Sequence, residues 1–282
     1  MSLNTIGLDD KTKQKNALDD MIKQNMARIK HKIIVMSGKG GVGKSTVATN
    51  LAFGLKVAGF AVGVMDTDIH GPSLGKMLGI EGQQLRTNEA GNGLMPNEID
   101  GIKAITMATL LQDPDAPVIW RGPLKMGAIK QFLGEIEWGD LDYLVIDSPP
   151  GTGDEPLSVC QLIPEADGSI IVTTPQDVAL IDSRKTVHFS EALKIPVLGI
   201  IENMSGFKCP HCGEPIDLFK IGGGERAAHS MNVPFLGRIP IDPKIVETGD
   251  DGKPFITDFA GSEAGKAMQE IVNNIIERTN KK

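Results

Sequence analysis

The reading of this chain turns on "KIIVMSGKGGVGKST", residues 32–46. An apolar run too short for a helix passes into a loop with glycine at 38, 40, 41 and 43, and Lys44 then opens a helical pattern. A strand, a glycine loop and a helix N-terminus in that order present backbone N–H groups to an anion. Two motifs overlap here. Gly38, Gly40 and Gly43 make GxGxxG, and with Asp66 about twenty residues on they imitate a dinucleotide fingerprint. Gly38 to Ser45 also make GxxxxGK[ST], in which Lys44 neutralises β and γ phosphates and the Ser45 hydroxyl binds Mg²⁺. In that reading Gly38, Lys39, Gly40, Gly41, Val42, Gly43, Lys44, Ser45 and Thr46 line the phosphates. At average composition a chance match in a chain of this size occurs on the order of one time in a hundred.

A second stretch separates the two motifs. "LVIDSPPGTGDE" (144–155) ends a strand on Asp147, where a nucleotide hydrolase holds a carboxylate near its metal; the dinucleotide reading predicts nothing there. Alone, such an Asp reads as a turn or cap residue, and its pairing with the loop favours the metal. Asp66 and Asp68, in "VMDTDIHGPSL" (64–74), end another strand at the same crevice.

Outward from these, further short apolar runs at 61–66, 102–108, 141–147, 168–174, 197–203 and 234–240 read as strands. They are apolar almost continuously, as parallel strands covered on both faces require. Helical patterns lie at 44–58, 124–133, 178–193, 223–231 and 263–279, and 81–101 reads as a loop or small hairpin. The expected fold is α/β: a doubly wound, mostly parallel sheet flanked by helices. Residues 9–30 read as an amphipathic helix with Leu18, Ile22, Met26 and Ile29 on its docking stripe, so 1–30 form an extension ahead of a domain over 31–282. The helix at 263–279 carries Ala264, Met268, Ile271, Val272, Ile275 and Ile276 on one stripe. Its partly acidic polar face predicts interior packing rather than a membrane surface.

Composition narrows the function. Among 282 residues 40% are apolar, enough for one sizeable core. No run of 18 apolar residues occurs, and the start has neither a basic region nor an apolar signal segment; the expectation is a cytoplasmic protein off the membrane. A net charge of −7 without a concentrated basic patch argues against nucleic acid as partner. Three cysteines cannot make a disulfide framework. Two of them, Cys209 and Cys212 in "FKCPHCGE" (207–214), stand at metal-ligand spacing in an insertion near 205–220. Zinc and iron–sulfur sites usually take four protein ligands, so one chain supplies half of one. A two-fold dimer would complete it with two cysteines from each copy. In isolation the knuckle reads as a zinc half-site. A thioredoxin-like pair is disfavoured because the motif follows a late strand. His211 is expected to be exposed, and Cys160 to be a buried core residue.

Lys39 directly after the first glycine gives the loop the "GKGGVGKS" form, which resembles the deviant Walker A group of dimeric P-loop ATPases. Within that group "DTDIHGPS" (66–73), "VIWRGPLKMGAIKQFL" (118–133), "DYLVIDSPPGTGDE" (142–155), "IIVTTPQDVALID" (170–182), "IENMSGFKCPHCG" (201–213) and "GGGERAA" (222–228) resemble, in order, the Mrp/ApbC family of iron–sulfur cluster carriers. The resemblance runs from about residue 30 to 280 and is to the short form of that family.

The resemblance implies a P-loop NTPase fold, ATP and Mg²⁺ as cofactors, and slow hydrolysis. It implies that Lys39 contacts the partner's nucleotide in trans, where the plain alternative is an exposed loop lysine. It implies that Asp66 sits near Mg²⁺ with Ser45 and Asp147, that Asp68 positions the attacking water, and that Asn203 recognises adenine. Cys209 and Cys212 would hold a [4Fe–4S] cluster bridging a homodimer. Apo iron–sulfur proteins would be recipients and an assembly scaffold the donor. Two rivals stay open: a zinc-bridged, nucleotide-switched dimer, and a DNA- or membrane-positioning ATPase of the wider group. Arg121, Lys125 and Lys130 would either meet the partner subunit or face solvent.

Overall fold

A computed structural model describes residues 6–69, 71–88, 91, 93–110, 122–209, 211–216 and 218–281, with the backbone alone over 6–15. His70, 118–121 and Pro210 of the motifs quoted above lie outside the described residues. One sheet carries β1 (Ile29–Met36), β2 (Val62–Asp66), β3 (Asn97–Ile99), β4 (Ile102–Thr106), β5 (Leu141–Asp147), β6 (Gly168–Thr173), β7 (Val197–Glu202) and β8 (Phe235–Arg238). Its spatial order is β8-β7-β6-β1-β5-β2-β4-β3, parallel throughout except that β3 runs against β4. The chain reverses its direction of winding beside β1. Ligand crevices in doubly wound sheets open there, beyond the strand C-termini.

Helices α1 (Ile6–Met26), α2 (Lys44–Val57), α3 (Gly122–Gly134), α4 (Asp154–Leu162), α5 (Asp177–Ala192), α6 (Gly223–Ser230), α7 (Pro243–Asp250) and α8 (Glu263–Thr279) cover the two faces. Strand alternation divides the core between them. Ile33 and Val35 enter the cluster under α2 and α8, while Ile34 and Met36 enter the one under α1, α3 and α4. Cys160 lies buried in the second cluster, and burial pushes its thiol up to about 12. The α8 stripe is buried against the sheet from Ala264 to Ile275, as its acidic polar face predicted, and its last member Ile276 is half-buried.

Where α8 crosses α2, Gly54 leaves no room for a side chain. A Cβ there would lie 2.5 Å from Val272 Cγ2 and 2.9 Å from Ile256 Cδ1. Gly54→Ala gains about 1 kcal/mol of helix propensity and meets overpacking of about 1–3 kcal/mol. The expected outcome is a lower urea midpoint with an unchanged slope.

Three sequence expectations need adjustment. The N-terminal helix ends at Met26, not near residue 30, and Ile29 already belongs to β1. Ile29 is nonetheless buried in the same cluster as Ile22 and Met26, so the four-residue stripe identified burial correctly and continued into a strand by coincidence. Within 81–101, besides the hairpin of Arg86–Thr87 and Leu94–Met95, β3 adds an edge strand whose three residues are too few to show a period. Lys125 and Lys130 are half-buried rather than facing solvent: the first pairs with Glu155, the second with Asp19 at 2.5 Å. Helix α7 was missed although Asp242 caps it, accepting from Lys244 N at 2.9 Å, with Pro243 at its first position.

Candidate nucleotide and cysteine sites

The loop between β1 and α2 is built on two left-handed glycines, Gly41 at φ +77° and Gly43 at φ +82°. Glycine adopts that region without the Cβ penalty, which lets the chain curl back before α2 begins. Lys44, Ser45 and Thr46 form the first turn of α2. A cavity of about 300 Å³ opens over them, lined by Gly40, Gly41, Lys44, Ser45, Asp68 and Pro150 among others. The 148–151 loop is pinned beside it, with Ser148 N donating to Val35 O at 3.1 Å and Gly151 N to Ser37 O at 2.8 Å.

Strand register assembles the floor. Asp66 on β2 stands opposite Asp147 on β5 and Thr106 on β4, all at the C-terminal edge. Lys44 Nζ donates to Asp147 Oδ1 at 2.6 Å and Ser45 Oγ to Asp147 Oδ2 at 2.5 Å. Asp66 accepts from Asp68 N at 2.9 Å and from Thr106 Oγ1 at 3.1 Å. Both carboxyls are fully buried. Burial, and then the neighbouring Asp147 charge, push Asp66 up to about 8. Burial raises Asp147 as well, against the pull of Lys44. Two buried carboxylates sharing one ammonium form a site short of positive charge, the electrostatic setting that suits a divalent cation. Thr106 and Thr67, whose Oγ1 donates to Asp147 O at 2.8 Å, were not singled out from sequence; their place at strand ends beside the aspartates was the available signal.

The remaining predicted residues fall around this floor. Asp68 lines the cavity and its Oδ1 accepts from Gly71 N at 3.2 Å. Gly38 packs so closely on α5 that a Cβ would lie 2.4 Å from the Asp182 carbonyl carbon, and half-buried Lys39 follows it. Asn203, just past β7, is buried under the loop, and its Nδ2 donates to Val42 O at 2.9 Å.

Cys209 and Cys212 sit on a separate projection. Phe207–Lys208 pairs antiparallel with Pro215–Ile216, and Cys209 and Cys212 fall in the turn between them. Cys209 N donates to Glu214 O and Gly213 N to Cys209 O, each at 2.9 Å. Backbone N–H groups of Cys212 and His211 face the Cys209 sulfur and hold its thiol below the usual range. A turn that donates to a thiolate is already shaped for a soft metal. Both thiols are free, Cys212 and His211 are exposed, and no group of three or more metal-binding side chains occurs among the described residues.

A family profile described as ParA, the NUBPL iron-transfer P-loop NTPases, matches residues 28–276. The chain belongs to this family. An iron–sulfur cluster carrier protein of Methanocaldococcus jannaschii is 51% identical over 260 residues, covering 92% of this chain and 89% of its own. Among solved structures, a nucleotide-binding protein of Archaeoglobus fulgidus in complex with ADP superposes with a TM-score of 0.74 at 40% identity, over 83% of this chain and 91% of that one. The cell division ATPase MinD of Pyrococcus furiosus superposes with a TM-score of 0.65 over 88% of this chain and 98% of its own; at 23% identity that likeness concerns the fold alone. An iron-transfer P-loop NTPase accounts for the floor and the projection together, and the dinucleotide reading falls away. Among the described residues no helix is long and apolar enough to cross a membrane.

Proposed function

We propose that the chain is an ATP-hydrolysing iron–sulfur cluster carrier that works as a homodimer. Cys209 and Cys212 of two copies together would hold one cluster, of the [4Fe–4S] type, for transfer to apo-proteins. The supporting observation is that exposed apolar side chains lie both on the helix against which the phosphate loop packs and on the segment that follows the knuckle, and that an ion pair brings the two together. Gly38 touches α5 at Asp182; beside it Val178 is 67% and Ile181 56% exposed. Lys220 Nζ reaches Asp177 Oδ2 at 2.7 Å, bringing the segment after the knuckle to the same helix. That segment exposes Leu218, Phe219 and Ile221. Aliphatic side chains gathered between two ligand sites mark an association surface, and a second copy supplies both the missing thiolates and a second nucleotide.

In this reading residues 31–282 are the ATPase domain with the cysteine insertion near 205–220, and 1–30 an N-terminal extension whose helix α1 packs on α3. The loop residues Gly38 to Thr46 bind the phosphates. Lys44 compensates their charge, and Ser45, Asp66 and Asp147 hold Mg²⁺. Asp68 orients water, Lys39 reaches the partner's nucleotide, and Asn203 offers its carboxamide oxygen to adenine. Hydrolysis is slow and serves the cargo. An assembly scaffold acts as donor, and the reading places the protein in the cytoplasm. Iron, sulfide and zinc are to be measured after anaerobic reconstitution of the native chain and of the Cys209→Ala, Cys212→Ala variant. Equal iron and sulfide in the native dimer, lost in the variant while ATP hydrolysis persists, is expected. Zinc held tightly with iron refused would replace the carrier with a zinc-bridged dimer.

A further inference from the structure

We propose that Asn203 is a positioning residue that carries a displacement of the phosphate loop to the Cys209 knuckle within a single subunit. The inference rests on the reading above, that the loop takes nucleotide and the thiols take metal. It adds the physical connection between them.

The connection begins at the loop. Asn203 is 6% exposed, its Nδ2 donates to Val42 O at 2.9 Å, and a Cβ on Gly43 would lie 2.1 Å from that nitrogen. The carboxamide is therefore fitted against two consecutive loop residues, the two that precede Lys44. Backbone N–H groups that turn onto a phosphate move with their peptide planes, and the Val42 carbonyl belongs to the Val42–Gly43 plane.

From Asn203 the chain runs as a strap held on both sides. Asn203 N donates to Thr173 O at 2.8 Å, Ser205 N to Ile239 O at 2.9 Å, and Ile241 N to Gly206 O at 2.8 Å. Glu202, fully buried at the end of β7, accepts from Gly222 N at 2.8 Å and also from Gly224 N and Ser205 Oγ. It ties the strap to the N-terminus of α6, a placement that compensates its charge. Phe207 then enters the knuckle hairpin, and Cys209 lies six residues beyond Asn203. A short segment with its polar groups engaged and its neighbours close-packed transmits a shift where a free loop would absorb it.

The test reads thiols, so it needs no iron. Iodoacetamide labelling of Cys209 and Cys212 is followed by peptide mass spectrometry in the metal-free full chain, without nucleotide and with saturating Mg²⁺ and a non-hydrolysable ATP analogue. Buried Cys160 is the internal reference. Light scattering fixes the same copy number in both samples, so that a partner's shielding is not counted. In the native chain the rates are expected to change by about fivefold or more. In Asn203→Ala, at a concentration that saturates that variant, the ratio is expected to return to one. An unchanged rate in the native chain, or a native-like ratio in Asn203→Ala, overturns the proposal. If Asn203→Ala loses nucleotide altogether, Glu202→Gln decides: it leaves the Val42 contact in place and loosens the strap, and a native-like ratio there overturns the proposal equally. Refusal of iron in reconstitution would sink the carrier reading and leave this readout intact. A native chain that binds no nucleotide overturns both.

Discussion

Lys44→Ala is expected to abolish ATP hydrolysis and to destabilise the fold at the same time. The first effect follows from charge: the ammonium faces the cavity in which phosphates would lie, and phosphoryl transfer depends on positioned positive charge. A loss of at least about 100-fold in kcat is expected from phosphate-release kinetics. The second effect follows from what stays behind. Asp147 loses its partner at 2.6 Å inside a fully buried site next to Asp66. Removing one member of a buried pair typically costs about 3–5 kcal/mol, reduced here to the extent that a carboxyl takes up a proton.

The pH dependence of that cost has a definite sign. Asp66 is raised from the ordinary 3.8 to about 8, so between those values the folded state holds a proton that the unfolded state has released. Stability is therefore full below the unfolded value and falls as pH rises through this window. With Lys44 gone, Asp147, already raised by burial, loses the charge that opposes that rise and is expected to be raised further, adding to the same trend. Urea midpoints in Mg²⁺-free buffer should show the variant's deficit growing from pH 5 to pH 8. A deficit independent of pH would mean that the lysine does not compensate these carboxylates.

Gly43→Ala is the second large effect. Gly43 has φ +82°, which costs an L-residue about 1–2 kcal/mol. The new methyl would also lie 2.1 Å from Asn203 Nδ2 and expel it from the Val42 carbonyl. A lost hydrogen bond of about 1 kcal/mol brings the destabilisation to about 2–3 kcal/mol. Urea midpoints of the nucleotide-free chain measure it. Gly40→Ala is the control, since a Cβ there meets no atom within 4 Å and the backbone is not left-handed. Its thermal stability is expected to stay within about 0.5 kcal/mol of native. Equal stability losses at the two glycines would show that general loop crowding, and not the Asn203 contact, governs Gly43.

What could be read from sequence was whatever depends on local order. A strand, a glycine loop and a helix in succession identify the phosphate loop, because its function needs those elements adjacent in the chain. Continuous apolar runs identified the parallel strands, because burial on both faces removes alternation. Asp147 was legible by its position at a strand end, and Cys209 with Cys212 by spacing. What stayed hidden depends on which strands are neighbours. Thr106 reaches Asp66 because β4 lies beside β2, and nothing near residue 106 announces that pairing. Asn203 was expected at the adenine through a family resemblance alone. Its grip on Val42, 161 residues earlier, exists because β7 and β1 flank the same strand. Glu202 was invisible for a similar reason, since its partners Gly222 and Gly224 lie about twenty residues on and nothing near residue 202 announces them.

Both rims of the sheet are brief. β3 offers three residues. At the other rim β8 offers four, with its pairing to β7 irregular at Phe235–Gly237 and Asn274 Nδ2 from α8 occupying the Leu236 carbonyl at 2.9 Å. Exposed strand edges invite edge-to-edge strand addition, which joins copies head to tail into fibres without limit. Short, broken and side-chain-blocked rims shut that route, and in the homodimer proposed above they would leave encounters between copies to a face on which two molecules close and growth stops.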